Sequence, residues 1–249
     1  MKGAAPAGAR GEEEAARWVR SMFGRVAPRY DLLNHLLSLN VDRYWRARTA
    51  RRLRAILRRP GARVLDICCG TGDLVLALER ERGAPVMGSD FCRPMLESAR
   101  AKIARAGRGS ALFEADALRL PLAARSLDLI TAAFGFRNLV NYRDGLAEML
   151  RVLKPGGVAA ILEFSTPPNP LFRRLYSFYS ARVLPRLGGL VSGSPEAYSY
   201  LPESVRRFPG AEELAAEMRA AGFRQVYFER ITAGIVALHI GMAPDDIYF

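Results

Sequence analysis

Apolar and polar positions follow two rhythms along the 249 residues. The first sixty residues carry a helical period. Glu12 to about Phe23 reads as a short helix, and Asp31 to Ser38 as a second, strongly apolar one. A third runs from an Asp42 cap to about Arg59, with Trp45, Thr49, Leu53 and Ile56 at helical spacing and arginines on the other faces. Pro60-Gly61 ends it. From Arg63 short apolar runs alternate with helical stretches. Strands are predicted near 63–68, 86–90, 111–115, 127–133, 157–164, 225–231 and 235–240, and helices near 72–82, 93–106, 141–153 and 210–221. That alternation predicts a doubly wound α/β fold with a seven-stranded, mostly parallel sheet. Only Thr232-Ala233-Gly234 separates the last two strands, so a hairpin adds an antiparallel edge strand.

The plan is a helical cap, residues 1–60, in the same domain as a Rossmann-like body, residues 61–249. The first ten residues are expected to fray. Residues 165–210, rich in proline and aromatic side chains, read as a lid-like insertion.

The strand near 63–68 runs into Cys68-Cys69-Gly70-Thr71-Gly72-Asp73, a glycine turn that opens a helix. Gly70 and Gly72 let backbone bend sharply and lie against a ligand, whose polar groups meet loop N–H groups and a helix dipole. Val75 stands where a dinucleotide fingerprint needs its third glycine, and no Gly-Lys-Ser/Thr follows, so neither a dinucleotide loop nor a P-loop is present. Asp90 ends the second strand, 18 residues after Gly72, where a carboxylate accepts from a ribose diol. Asp116 ends the third, placed for adenine, with the Ala117 N–H beside it. Ribose and adenine contacts with weak pyrophosphate credentials suit S-adenosylmethionine. Singly, each acid could equally be a helix cap.

Composition limits the alternatives. Half of the residues are apolar, as in a globular chain, and no apolar run reaches the ~18 residues of a membrane span. The N-terminus has no hydrophobic segment and carries three glutamates, unlike a secretory signal. Cys68, Cys69 and Cys92 have neither disulfide nor zinc spacing, which fits a reducing cytoplasm and no metal. The net charge of +12 is concentrated in residues 1–63, with fifteen Lys+Arg against five Asp+Glu. Such a third has a polyanion or anionic membrane as neighbour, or merely solvated helix faces.

The glycine loop and strand-end acids resemble class I methyltransferases. Tyr30-Asp31-Leu32-Leu33-Asn34 through Leu37-Ser38, followed by Trp45, resembles the N-terminal signature of the ubiquinone/menaquinone biosynthesis C-methyltransferases. Arg151-Val152-Leu153-Lys154-Pro155-Gly156-Gly157, continuing to Glu163-Phe164-Ser165, is similar to their second signature. Phe134 to Asn138 and Tyr198 to Ser204 look like the same family. Leu33, Asp42, Asp116 and Ala133 depart from the usual Met, His, Asn and Ser.

The resemblance implies methyl transfer from S-adenosylmethionine to a ring carbon of a polyprenylated quinol. Asp66, Gly70, Thr71, Gly72, Asp90, Phe91, Asp116, Ala117 and Ala133 form the expected cofactor set. Arg137 is expected to stabilise the phenolate, directly or through an ordered water, with Asn138 orienting it, unless it only pins the insertion by a salt bridge. His35 is the candidate for proton transfer, and His239 reads as a core histidine. Phe172, Tyr176, Phe178, Tyr179, Tyr198 and Tyr200 could build a greasy lid with the apolar helix, or simply fill core. Cys68 to Thr71 resembles members from menaquinone-making bacteria, which favours demethylmenaquinol over a ubiquinone-branch benzoquinol. The expected place is cytoplasmic, with peripheral contact at the inner membrane face through helix 42–59 on anionic lipid. Alternatives are another small lipid or aromatic acceptor, a nucleic-acid methyltransferase or binding module, or an inactive scaffold. The lack of an apparent stacking platform, with an aromatic cluster in residues 165–210, argues against nucleic acid.

Overall fold

The computed structural model describes residues 3, 4, 6, 8–179, 182 and 195–245. Seven strands form one sheet: β1 (Val64–Ile67), β2 (Met87–Asp90), β3 (Ala111–Glu114), β4 (Leu127–Ala133), β5 (Leu153–Phe164), β6 (Arg224–Ile231) and β7 (Val236–Met242), in the order β3-β2-β1-β4-β5-β7-β6. The pairs from β3 to β5 are parallel. β7 is antiparallel to both β5 and β6, so the hairpin places its antiparallel member one position inside the edge. The strand order reverses between β1 and β4, and a cleft opens at their C-terminal ends, as in other open α/β sheets.

Side-chain alternation divides the interior into two cores. Val158, Ala160 and Leu162 of β5 face one side, with Trp45, Leu53, Leu57, Leu78 and Leu96. Ala159 and Ile161 face the other, with Phe136, Leu146, Met149, Leu214 and Met218. The body helices are α5 (Asp73–Arg82), α6 (Arg93–Arg105), α7 (Tyr142–Val152) and α10 (Ala211–Ala220), each within two residues of its predicted bounds at the start, as the loops and glycines dictate. β5 starts earlier than predicted. Helix α7 passes straight into Leu153, because Gly156 takes φ +69° and lets Lys154-Pro155-Gly156-Gly157 bend within the strand.

The cap consists of α1 (Glu12–Val26), α2 (Tyr30–Leu37), α3 (Val41–Arg52) and a short α4 (Arg54–Leu57). Two expectations are corrected here. The predicted third helix breaks at Leu53 (φ −92°, ψ 3°). Asn40 occupies the cap position of α3, and Asp42 lies inside the first turn, buried, accepting from Ser38 Oγ at 2.6 Å and paired with Arg46 and His35. Of the insertion, α8 (Pro170–Phe178) and α9 (Pro195–Arg207) are described, while 183–194 and the side chains of Phe178 and Tyr198 lie outside the described residues. Tyr200 packs on Trp18 of the cap, ring centroids 5.1 Å apart.

Candidate active site

The glycine loop is built by the strand ends beside it. Gly70 and Gly72 take φ of +53° and +84°, a region costly for residues with a Cβ. Asp90, at the end of β2, fixes the turn: Oδ2 accepts from the Gly70 N–H and Oδ1 from the Cys92 N–H, both at 2.8 Å. Burial pushes its carboxyl up to about 6 despite those bonds. Asp66, within β1, is buried too; it accepts from Thr131 Oγ1 at 2.6 Å, and burial pushes it up to about 7. Asp116 stands exposed in an Asx turn, accepting from the Leu118 N–H at 2.9 Å. Burial pushes the Cys68 and Cys69 thiols well up, which keeps them neutral and poor nucleophiles.

These groups border one cavity at the sheet's switch point, with about 940 Å³ of empty space counted out to its mouth. Asp66, Gly70, Thr71, Asp90, Phe91, Asp116, Ala117 and Ala133 line it. Gly72 does not; a Cβ there would lie 3.3 Å from Ala99 Cβ, so this glycine serves the approach of α6 to the loop. The cap closes the top with Ala16, Phe23 and Tyr30. Sequence reasoning missed Phe23, Phe134 and Arg46 as wall residues. Arg46 was detectable as the i+4 partner of Asp42 on α3.

The residues fit S-adenosylmethionine. Adenine would meet Asp116 over β3, and the ribose Asp90 over β2. The methionine end would then lie over β1 and β4, a span of three strand spacings, about 14 Å. Four carboxylates, those of Asp66, Asp73, Asp90 and Asp116, suit the hydroxyls, ammonium and sulfonium. A Cβ on Gly135 would fall 2.4 Å from Cys68 Cβ, so the floor between β1 and β4 exists only with glycine there.

The cap is fastened to the loop by charge. Thr71 Oγ1 donates to Asp31 Oδ1 at 2.5 Å, and Lys102 Nζ bridges Asp31 at 2.5 Å and Asp73 at 2.7 Å. His35 belongs to this network rather than to the cavity. Its Nδ1 lies 2.9 Å from Asp42 Oδ2, its Nε2 4.0 Å from Asp73 Oδ2, and it faces a separate basic groove between α3, α5 and α6.

Asn138 reaches the cavity and Arg137 stands behind it. The Arg137 guanidinium is bound to Glu163, to the Phe134 carbonyl and to Ser204 Oγ, and lies 5.4 Å from the Phe164 ring centroid. The salt bridge expected to the insertion is made instead to Glu163 of β5, and the insertion is met through Ser204 Oγ. Asn138 Oδ1 accepts from Tyr200 OH at 3.2 Å, which leaves the amide N–H donors for a ligand. His239 is in the core, with Nε2 2.9 Å from the Ala211 carbonyl and its ring against Phe228, and burial pushes its pKa down.

The model of the ubiE/COQ5 methyltransferase family matches residues 10–243. A demethylmenaquinone methyltransferase of Thermus thermophilus is 50% identical over 224 residues, 90% of this chain and 100% of the relative. One of Deinococcus radiodurans is 48% identical, over 92% of this chain and 94% of its own length. The ubiquinone/menaquinone biosynthesis C-methyltransferase UbiE of Geobacter sulfurreducens is 46% identical, covering 92% and 89%. Among solved structures, a SAM-dependent methyltransferase of Thermotoga maritima, described as a possible histamine N-methyltransferase, superimposes with a TM-score of 0.63. It covers 90% of this chain and 99% of that one at 20% identity, a likeness of fold.

Proposed function

The chain belongs to the ubiE/COQ5 methyltransferase family, and we propose that it methylates a ring carbon of demethylmenaquinol to give menaquinol. It is an S-adenosylmethionine-dependent methyltransferase. The observation that carries the acceptor is the make-up of the cavity. The acids that suit the cofactor share it with an apolar wall of Phe23, Tyr30, Phe134, Leu139 and Val140, against which a flat bicyclic quinol can lie. The naming of the Thermus and Deinococcus relatives supports the same acceptor.

Bound S-adenosylmethionine supplies an electrophilic methyl group. The chain holds it by Asp116, Asp90 and the glycine loop, and aligns the acceptor against the aromatic wall. Carbon attacks only when the quinol hydroxyl, ordinarily titrating near ~10, has lost its proton to water, and the ring proton of the methylated carbon leaves the same way to restore the aromatic quinol. Asn138, oriented by Tyr200, donates to the resulting oxyanion. Arg137 acts from behind the wall through its field. Burial raises the pKa of Tyr30, Tyr176 and Tyr200, and the same charge opposes that rise. His35 keeps the cap charge network in order rather than touching the acceptor.

A polyprenyl tail keeps the acceptor in a bilayer, and the cap surface supports docking there. Arg43, Arg51, Arg80 and Arg105 rim the basic groove. Leu39, 77% exposed at φ +52°, projects from the turn beside Arg43, with Leu32 and Tyr44 exposed nearby in sequence. Among the described residues no helix is long and apolar enough to cross a membrane.

The test is incubation with methyl-labelled S-adenosylmethionine and demethylmenaquinone, with and without a chemical reductant. Label in menaquinone only with reductant is expected. Label only in a ubiquinone-branch benzoquinol overturns the acceptor and keeps the chemistry.

A further inference from the structure

Of the described side chains that line the main cavity, Arg46 is the one cation, set against Asp66, Asp73, Asp90 and Asp116. It comes from α3 of the cap, and its side chain is 9% exposed. Its guanidinium carbon lies 5.1 Å from the ring centroid of Phe134, which follows β4. That is the side of the cleft opposite Asp116 and β3. Nη1 donates to Asp42 Oδ2 at 2.5 Å, and Asp42 is held in turn by Ser38 and His35. Nη2 stands 4.0 Å from Asp73 Oδ2, beyond hydrogen-bond range. Among the described residues Nη1 alone of this guanidinium makes a hydrogen bond. Asp73 is already matched by Lys102 at 2.7 Å, so it does not consume the charge of Arg46.

A buried carboxylate demands a cation or several N–H donors. The amino-acid end of S-adenosylmethionine carries such a carboxylate, and the strand order puts that end over β1 and β4. We propose that Arg46 anchors the α-carboxylate of the methionine moiety through its free N–H donors. The anchor rests on the reading that this cleft takes S-adenosylmethionine. It also gives the cap a chemical role, since the helix that covers the cleft brings the ligand's counter-charge with it. Asp42 is then a positioning residue that holds the guanidinium in line, as the buried i,i+4 pair and its Ser38 and His35 contacts allow.

The test compares two ligands by titration calorimetry on the full chain. S-adenosylhomocysteine carries the amino-acid carboxylate; 5′-methylthioadenosine keeps the nucleoside and thioether but lacks it. Arg46→Gln is expected to weaken S-adenosylhomocysteine by roughly 10- to 100-fold, the scale of one charge-assisted hydrogen bond. Its affinity for 5′-methylthioadenosine is expected to stay within about twofold of the parent's, which also reports an intact fold. Arg46→Lys recovers part of the loss, retaining charge without the fork. Equal weakening of both ligands, or an unchanged S-adenosylhomocysteine affinity, overturns the anchor. Parent protein that binds neither ligand overturns the cofactor reading beneath it.

Discussion

Arg137 and Glu163 form an ion pair inside the molecule, Nη1 to Oε2 at 3.2 Å with side chains 5% and 1% exposed. The pair ties the turn after β4 to the end of β5, and Arg137 Nη1 also donates to the carbonyl of Phe134. Phe134 sits at φ +59°, a conformation that costs a bulky residue about 1–3 kcal/mol. The ion pair therefore holds a strained wall residue against the cavity. Glu163→Ala, which leaves a buried guanidinium unpaired, is expected to cost about 3–5 kcal/mol in urea denaturation. Arg137→Met with Glu163→Leu recovers most of that loss, because neither charge is left alone. A cost under about 1 kcal/mol for Glu163→Ala sinks this account. In the double variant turnover falls while S-adenosylhomocysteine affinity stays, since Arg137 lies outside the cofactor wall.

The two buried acids set a pH dependence. Asp66 and Asp90 are pushed up to about 7 and about 6 by burial, above the ~3.9 of an unfolded aspartate. Their contribution to stability is full below that unfolded value and is lost as pH rises through the folded values. The ligand-free protein should thus lose melting temperature on this account between about pH 4 and about pH 7. If hydroxyl and ammonium groups of the cofactor donate to these carboxylates, as their place in the cleft implies, the ligand pulls the protons off. The rise in melting temperature caused by S-adenosylhomocysteine should grow from about pH 5.5 to about pH 8. Asp66→Asn should flatten that growth; an unaltered profile in the variant assigns the dependence elsewhere.

Gly135 tests the floor of the cleft. An added methyl group would meet Cys68 Cβ at 2.4 Å and the Cys68 carbonyl at 3.1 Å, and backbone cannot yield as a flexible side chain does. Gly135→Ala is expected to cost about 1–3 kcal/mol and to weaken S-adenosylhomocysteine as β1 and β4 separate. Gly83 has nothing within 4 Å of such a methyl, so Gly83→Ala there disturbs only the helix C-terminus at φ +76° and leaves ligand affinity alone. Equal affinities in the two variants would remove the floor argument.

The body of the fold was legible because its signals are local. Strand periodicity, glycine turns and helix lengths fixed β1 through β4 and their helices within a few residues, and the strand-end acids Asp90 and Asp116 mark the cleft from their spacing alone. What stayed hidden depends on long-range pairing. Nothing near Arg137 announces Glu163, 26 positions away, so an exposed catalytic contact and a buried ion pair read alike. His35 looks like an active-site histidine beside a family signature, yet Asp42, seven positions on, draws it into the charge network. Asp42 reads as a helix cap until Asn40 takes that place at φ +61°. Arg46 is one arginine among many on α3; its i,i+4 offset from Asp42 singles it out, and the fold adds that Arg43 and Arg51 turn outward.

The arginine rim and the projecting leucine should act together on a membrane. Arg43, Arg51, Arg80 and Arg105 come from three helices, and none of them forms a salt bridge among the described residues, whereas Arg54 and Arg58 nearby are spent on Glu81. Like charges on a groove rim repel one another unless an anion arrives, and each arginine near an anionic surface contributes about 1 kcal/mol. Leu39, held outward by a left-handed turn, adds apolar area that pure electrostatics lacks. Flotation with vesicles of mixed neutral and anionic phospholipid should therefore carry the protein upward, less so at high salt. Arg43→Glu with Arg80→Glu should abolish most of that binding, and Leu39→Ser should reduce the part that survives salt. Turnover on a soluble, short-tailed quinol should persist in all three substitutions, since none of these residues lines the main cavity. Flotation that ignores both lipid charge and salt removes the docking surface and leaves the methyl-transfer chemistry standing.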